Sequence, residues 1–289
     1  MEYSPIAIFA YNRLYHLKKS IYALLKNPES AFSDLFIFAD HPKSNKEQLN
    51  VRLVRSFLKE INGFKSVTIF ERSRNFGLAK SIIAGVNEVF QKFKSIIVLE
   101  DDIIPSPFFL KYMSDGLKMY EDVNKIGCIH AYAYPSSVSL PETFFLRGAD
   151  CWGWGTWKSS WKLFEENGQI LLDKLINTNL CNLFDLESHA PFSQMLQDQI
   201  NGKVDSWAIR WHASLFLADK FCLHPGKSLV KNIGLDSSGS NCPETDAYNV
   251  KLTERPIRVL KNEIEESAVA LDGLKRFFSK IHSHSPSSE

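Results

Sequence analysis

The chain has 289 residues, 44% of them hydrophobic, and a formal net charge of +1. That is apolar material for one large core, or for one core with an appended lobe. The near-neutral balance supplies no global field for nucleic acid or an anionic membrane, and no apolar run approaches the ~18–20 residues of a bilayer span.

The opening residues lack a basic n-region, so Pro5–Ala10 reads as an apolar strand rather than a signal peptide. It ends in Tyr11-Asn12-Arg13. A helix follows with Leu14, Leu17, Ile21, Leu24 and Leu25 on one face and Lys18 and Lys19 opposite, stopped at Asn27-Pro28. Leu35–Ala39 is a second strand, ending in Asp40-His41-Pro42. A helix from about Lys46 to Ile61 is expected to turn Leu49, Leu53, Phe57 and Ile61 to the core. Val67–Phe70 is a third strand, leading through Arg72–Gly77 into a helix with Leu78, Ile82, Val86, Val89 and Phe93 inward. Ser95–Leu99 is an apolar fourth strand that runs into Glu100-Asp101-Asp102. Strands alternating with helices of this length predict right-handed crossovers and a parallel sheet.

Beyond Pro107 a helix carries Phe109, Met113, Leu117 and Tyr120. Ile126–Ala131 and Phe144–Leu146 read as strands, with Tyr132–Pro141 as loop between them. The stretch Arg147–Trp157 is too rich in glycine for a helix interior. Lys158 to about Asn177 reads as one helix and Pro191–Gly202 as a shorter one, followed by helix-like Val204–Trp211. Phe221–Val230 reads as a strand pair broken at Pro225-Gly226, and Gly234–Pro243 as a Ser/Gly-rich loop. From about Val259 the tail carries Leu271, Leu274, Phe277, Phe278 and Ile281 on one helical face beside Lys275, Arg276 and Lys280. It either rests on a membrane surface or docks on its own domain. The residues after it are polar and read as disordered.

Five dispersed cysteines (Cys128, Cys151, Cys181, Cys222, Cys242) form no C-x-x-C pair, which fits reduced thiols in a cytoplasmic protein better than a disulfide framework or zinc site. His282 and His284 are too few to hold a metal. No G-x-G-x-x-G or G-x-x-x-x-G-K-[ST] occurs, so a dinucleotide fold and a P-loop enzyme are both disfavoured.

The polar strand ends Asn12-Arg13, Asp40, Arg72–Asn75 and Glu100–Asp102 should converge on one edge of such a sheet, where open α/β sheets bind ligands. In an extended chain Glu100 and Asp102 point one way and Asp101 the other. Three adjacent carboxylates repel and are costly to bury without a cation or donors. Mg²⁺ or Mn²⁺ needs only one or two of them when diphosphate oxygens and water complete its shell. The alternative is a solvated acidic turn capping the next helix. Arg72, Arg74 and Lys80 are near enough in the chain to meet phosphates, or form a solvated basic turn. Trp152, Trp154 and Trp157 either stack on sugar rings or pack against the sheet, with at least half of the tryptophans expected in the core.

The segments AIFAYNRLYHLKKSIYALL, FAD, RNFGLAKSIIAGVNEVF and IIVLEDDIIPSPFFLKYM resemble the nucleotide-sugar half of GT-A glycosyltransferases. The similarity is to the N-acetylglucosaminyltransferase I-like group and its bacterial relatives in surface-polysaccharide synthesis. RGADCWGWGTW, VDSWAIRWHASLF and KNIGLDSSGSNC resemble the acceptor half of those relatives. The resemblance implies an α/β, Rossmann-like, mostly parallel sheet flanked by helices, with residues 1–125 binding the nucleotide-sugar, 126–258 the acceptor, and 259–289 forming an amphipathic helix and tail. It implies a cytoplasmic, Mn²⁺- or Mg²⁺-dependent, inverting transfer from a UDP-sugar to a glycan or lipid-linked glycan. Arg13 would contact the nucleotide and Asp40 would accept from uracil; Lys80, by its place near the third strand end, is a candidate contact for the donor phosphates. Glu100, Asp101 and Asp102 match the D-x-D-like motif, with Asp102 on the metal. Asp205 matches the general base, in apolar surroundings (Val204, Trp207, Trp211) able to raise its pKa, or else caps a helix; Asp198 and Asp150 are reserves. A nucleotidyltransferase that makes nucleotide-sugars and a catalytically inactive glycan-binding module are the rival functions. The Trp/Gly segment and the 234–242 loop depart from the eukaryotic pattern.

Overall fold

The computed structural model describes residues 3–236 and 245–283. Cys242, His284, the polar end of the tail and most of the expected Ser/Gly-rich loop lie outside them. β1 (Ile6–Ala10), α1 (Leu14–Leu24), β2 (Asp34–Ala39), α2 (Gln48–Leu58), β3 (Ser66–Glu71), α3 (Leu78–Val89) and β4 (Ser95–Glu100) alternate as the residue pattern predicts. They are followed by β5 (Ile103–Pro105), α4 (Phe109–Met119), β6 (Ile126–His130), β7 (Thr143–Arg147), β8 (Trp154–Trp157) and four helices, α5 (Lys158–Trp161), α6 (Gly168–Asn177), α7 (Cys181–Phe184) and α8 (Phe192–Ile200). α9 (Trp207–Leu217), β9 (Phe221–Pro225), β10 (Val230–Asn232) and α10 (Ala268–Ser283) complete the chain.

Eight strands form one sheet in the order β3-β2-β1-β4-β8-β6-β9-β7, and β10 pairs with β5 in a separate ribbon. β3, β2, β1 and β4 are parallel, β6 and β9 parallel to each other, and β8 and β7 antiparallel to their neighbours. The α/β architecture is therefore mostly parallel with helices on both faces. Alternation along the strands divides the core. Ile6, Ile8 and Ala10 join Leu17, Val54, Phe109 and Met113 under α1, α2 and α4. Ala7 and Phe9 join Ile82, Val86, Trp207 and Trp211 under α3 and α9.

The Trp/Gly stretch, read only as non-helical, contains a strand: β8 inserts between β4 and β6, with Trp154 opposite Val98 and His130. Glycine is needed there because a Cβ at Gly155 would stand 2.9 Å from Met113 Cε and 3.0 Å from the Ile96 carbonyl. Three expectations are corrected. The single helix expected over Lys158–Asn177 is two, because the Asn167 side chain accepts from the Gln169 N–H at 3.0 Å and starts α6 afresh. Leu49 and Leu53 are 63% and 45% exposed, because Val51, Val54, Phe57 and Leu58 set the inward phase of α2. Val230 ends no pair with β9; it belongs to the ribbon with β5.

The apolar face of α10 is covered by its own domain. Phe277 and Phe278 are buried with Ala190 and pack against Tyr134, and Ala270 packs with Phe144 and Leu146. Lys275 pairs with Glu187 at 2.8 Å. The docking alternative for this helix holds, and the membrane-surface reading loses the apolar face that it needs. Among the described residues no helix is long and apolar enough to cross a membrane.

Candidate active site

Because β1 to β4 run in parallel, the residues following them meet on one edge. Arg13 lies just before α1, and its Nη2 donates to Asp101 Oδ1 at 2.5 Å and to Asp102 Oδ2 at 2.8 Å. The Tyr11 N–H reaches Asp101 Oδ2 at 3.4 Å, and the Ser20 hydroxyl donates to the Asp101 carbonyl at 2.8 Å. The alternation expected of Glu100–Asp102 does not hold. Pairing with β1 stops at Glu100, the chain turns at once into β5, and the turn aims both aspartates at the same guanidinium.

Asp101 and Asp102 are buried and Glu100 is half-buried, taking a side-chain hydrogen bond from Trp207. Burial, then the charges of Asp102 and Asp101, push Glu100 up to about 8. Burial pushes Asp101 up to about 6, although Arg13 pulls the other way. Burial works against the charge on Arg13, but its two carboxylates outweigh that and raise its pKa. One guanidinium thus faces three carboxylates.

A segment from the far end of the chain closes over this cluster. The Ile233 N–H donates to the Asp102 carbonyl at 2.9 Å, and the Gly234 N–H to Asn232 Oδ1 at 2.7 Å. A Cβ at Gly234 would overlap Asp102 Oδ2 and stand 2.9 Å from Arg13 Nη1, so only glycine permits this approach. His16 Nε2 lies 3.0 Å from Asp236 Oδ2. Residue spacing gave no notice of this strap.

Asp40 is occupied by backbone. It accepts from the N–H groups of His41 (2.8 Å), Phe76 (2.9 and 3.1 Å) and Gly77 (3.0 Å), which uses the ~4 acceptor positions of a carboxylate. Gly77 has φ +73, a conformation that glycine adopts freely. Asn75 Nδ2 donates to the His41 carbonyl at 2.6 Å, and Arg55 Nη2 to the carbonyls of Asp40 and Arg72 at 3.2 and 2.7 Å. The guanidiniums of Arg72 and Arg74 lie 4.8 and 5.6 Å from the Phe76 ring centre. Lys80 is exposed in the first turn of α3.

Asp205 reaches the same edge from the other half of the chain. A Cβ on Gly77 would stand 3.4 Å from Asp205 Oδ2, which places this carboxylate beside the loop that Asp40 holds. Asp205 does not cap α9; Ser206 does, its Oγ accepting from the Ile209 N–H at 3.3 Å. Nor do the tryptophans enclose it. Asp205 is exposed, while Trp207 and Trp211 are 2% and 0% exposed in the core. Five of the six tryptophans are buried, and Trp152 alone keeps a partly open ring. Asp198 is engaged by Lys203 at 2.9 Å, and Asp150 accepts the Tyr134 hydroxyl at 2.6 Å.

Among the described residues no group of three or more His, Cys, Asp or Glu side chains is placed to hold a metal alone. The donor set fits a divalent ion on a single carboxylate: Asp102 is beside a cluster short of positive charge, and diphosphate and water are the remaining ligands such ions prefer.

No model of a known protein family matches the chain, and no curated protein matches its sequence. Among solved structures, a mannosyltransferase from Pyrobaculum calidifontis in complex with GDP-Man and Mn²⁺ is similar over 46% of this chain and 36% of its own, at 11% identity and a TM-score of 0.32. A putative nucleotide-diphospho-sugar transferase from Desulfovibrio desulfuricans is similar over 55% and 65%, at 13% identity and a TM-score of 0.34. A UDP-glucose pyrophosphorylase complexed with UDP-glucose is similar over 77% and 90%, at 9% identity and a TM-score of 0.39. The chain spans little more than a third of that mannosyltransferase. Likenesses this loose fix neither reaction nor substrate.

Proposed function

We propose that the chain is a metal-dependent, inverting glycosyltransferase of the GT-A type. It transfers a sugar from a UDP-sugar to a glycan or lipid-linked glycan acceptor in bacterial surface-polysaccharide synthesis. The observation that carries this reading is the meeting, on one sheet edge, of the Arg13–Asp101–Asp102 cluster, the loop held by Asp40, and Asp205.

Each residue then has a task. Arg13, held charged between two buried aspartates, faces the diphosphate and offsets the charge that grows on the leaving oxygens. Asp102 is the carboxylate for Mn²⁺ or Mg²⁺, which when bound neutralises the diphosphate as a Lewis acid. Asp101 aims Arg13, and Glu100, tied to Trp207, links the cluster to the acceptor half. Asp40 shapes the nucleotide side by fixing the Phe76–Gly77 turn, and Lys80 stands at the rim of that loop. Asp205 has an exposed carboxylate and takes the proton from the acceptor hydroxyl as it attacks the anomeric carbon.

Equilibrium binding of UDP with Mn²⁺ or with EDTA tests the donor side. Binding should be tighter with Mn²⁺, Asp102→Ala should lose that difference, and Asp205→Asn should bind as the unaltered protein does. Equal binding in EDTA, unaffected by Asp102→Ala, would remove the metal assignment. Pyrophosphate as a product in place of UDP would identify a nucleotidyltransferase instead.

A further inference from the structure

α1 and α2 turn an acid-free surface outward. Neither helix contains an Asp or a Glu. The inward phase set by Leu17, Ile21 and Leu24 on α1, and by Val51, Val54, Phe57 and Leu58 on α2, leaves large apolar groups in water. Tyr15 and Tyr22 are 64% and 55% exposed, and Leu49 and Leu53 63% and 45%. Lys19 and Arg52 stand exposed among them. The helices lie side by side, since Lys18 Nζ stands 5.2 Å from the Phe57 ring centre and the Tyr22 ring meets Phe57 edge-on at 6.2 Å. Aromatic, aliphatic and cationic side chains therefore share one face.

Among the described residues Lys18, Lys19 and Arg52 form no ion pair with a carboxylate. The acids lie at the margins: Glu47 beside Lys46, Glu29 beyond Lys26, Glu60 after α2, and Asp236 against His16 on the buried side of α1. Arg55 is neutralised by Glu71 at 3.3 Å.

We propose that this α1–α2 face docks on an anionic lipid bilayer. Cations matched to headgroup charge, with tyrosines at interface depth and leucines to enter the acyl boundary, are the chemistry of a peripheral membrane surface. A second copy is disfavoured as occupant, because the face would meet its own positive charge. A nucleic acid would use the cations and leave Leu49 and Leu53 without a function. α1 begins one residue beyond Arg13, and α2 follows Glu47, whose carboxylate holds Tyr11. The docked face thus adjoins the strand edge that carries the acidic cluster. The inference does not depend on the transfer reaction.

The test is co-sedimentation of the full chain with vesicles of phosphatidylcholine alone, or with about 30% phosphatidylglycerol, at low salt and at about 1 M salt. The protein should partition onto the anionic vesicles only, and release in high salt. Each cation near such a surface is worth about fivefold in partition, so Lys18→Glu with Lys19→Glu and Arg52→Glu should weaken it by about a hundredfold or more. Leu49→Ser with Leu53→Ser should weaken it with the charges intact, and Arg276→Glu on α10 should not. The far-UV spectrum and UDP binding of each variant report that it is folded. No partition onto anionic vesicles would overturn the proposal. So would loss through Arg276→Glu alone, RNA binding without vesicle binding, or a dimer abolished by the leucine changes. Asp102→Ala should leave partition unchanged, so a failed donor assignment and a failed docking surface read out separately.

Discussion

At the scale of single residues, the site depends on groups that bring charge and space together. Gly234 is the sharpest case, because any side chain there would push Asp102 off Arg13. Gly234→Ala should therefore weaken UDP binding at least tenfold while the fold, read by its circular dichroism, survives; unchanged binding would show that the strap is not part of the site. Asp205 and Ser206 are neighbours with separable duties. Ser206→Ala removes the α9 cap and should lower stability by about 1 kcal/mol in urea titration. Asp205→Asn should leave the unfolding midpoint in place and abolish transfer. Arg13, Asp40, Asp101, Asp102 and Asp205 were all readable as polar residues at strand ends or before a helix. What they touch was not. Asp40 is consumed by three backbone amides and Asp101 turns to Arg13, and both facts come from turns that residue alternation does not describe.

At the scale of elements, the periodicity of α1, α3 and α4 was enough to place their buried faces, because each carries a single dominant apolar stripe. In α2 two stripes compete. Leu49 and Leu53 were the larger residues, yet Val51 and Val54 are buried, and Val54 packs with Phe57 and Leu58 in the core under the sheet. The segment Lys158–Asn177 misled for a different reason: apolar spacing continues across a break that Asn167 makes by capping a new helix. β8 was hidden by composition, since glycine ordinarily weakens a strand. Here Gly155 makes room for Met113 and the Ile96 carbonyl. Gly155→Val should accordingly destabilise the protein by about 1–3 kcal/mol through overpacking, measured by urea unfolding, even though valine favours strands.

At the scale of the whole molecule, the parallel half of the sheet follows from alternating strands and helices, whereas the antiparallel β8 and β7 and the β5–β10 ribbon depend on contacts far apart in the chain. Global stability carries a pH signature from the sheet interior. His130 and His224 are 0% and 5% exposed with their Nδ1 atoms 3.3 Å apart, and Phe144 stacks on His224. Burial pushes both well below the ordinary histidine value, to about 3. At His224 the neighbouring His130 and His212 add to this and Asp150 opposes it only in part, while at His130 a backbone hydrogen bond with Trp152 opposes it. The unfolded chain protonates them near pH 6.5 and the folded chain does not, so unfolding takes up protons in that window. Stability should be full above about pH 7 and fall as pH drops towards 4, with an uptake approaching about two protons; His224→Leu should shallow that slope.

We propose that the Arg13–Asp102 edge binds a nucleotide-sugar and that Asp205 drives its transfer. Assaying UDP released from a panel of UDP-sugars, with a glycan acceptor and Mn²⁺, tests it most directly. Release should accompany glycan extension, stop in EDTA, and be lost in Asp205→Asn while UDP binding persists. Near-normal release by Asp205→Asn, or turnover undiminished in EDTA, would contradict it.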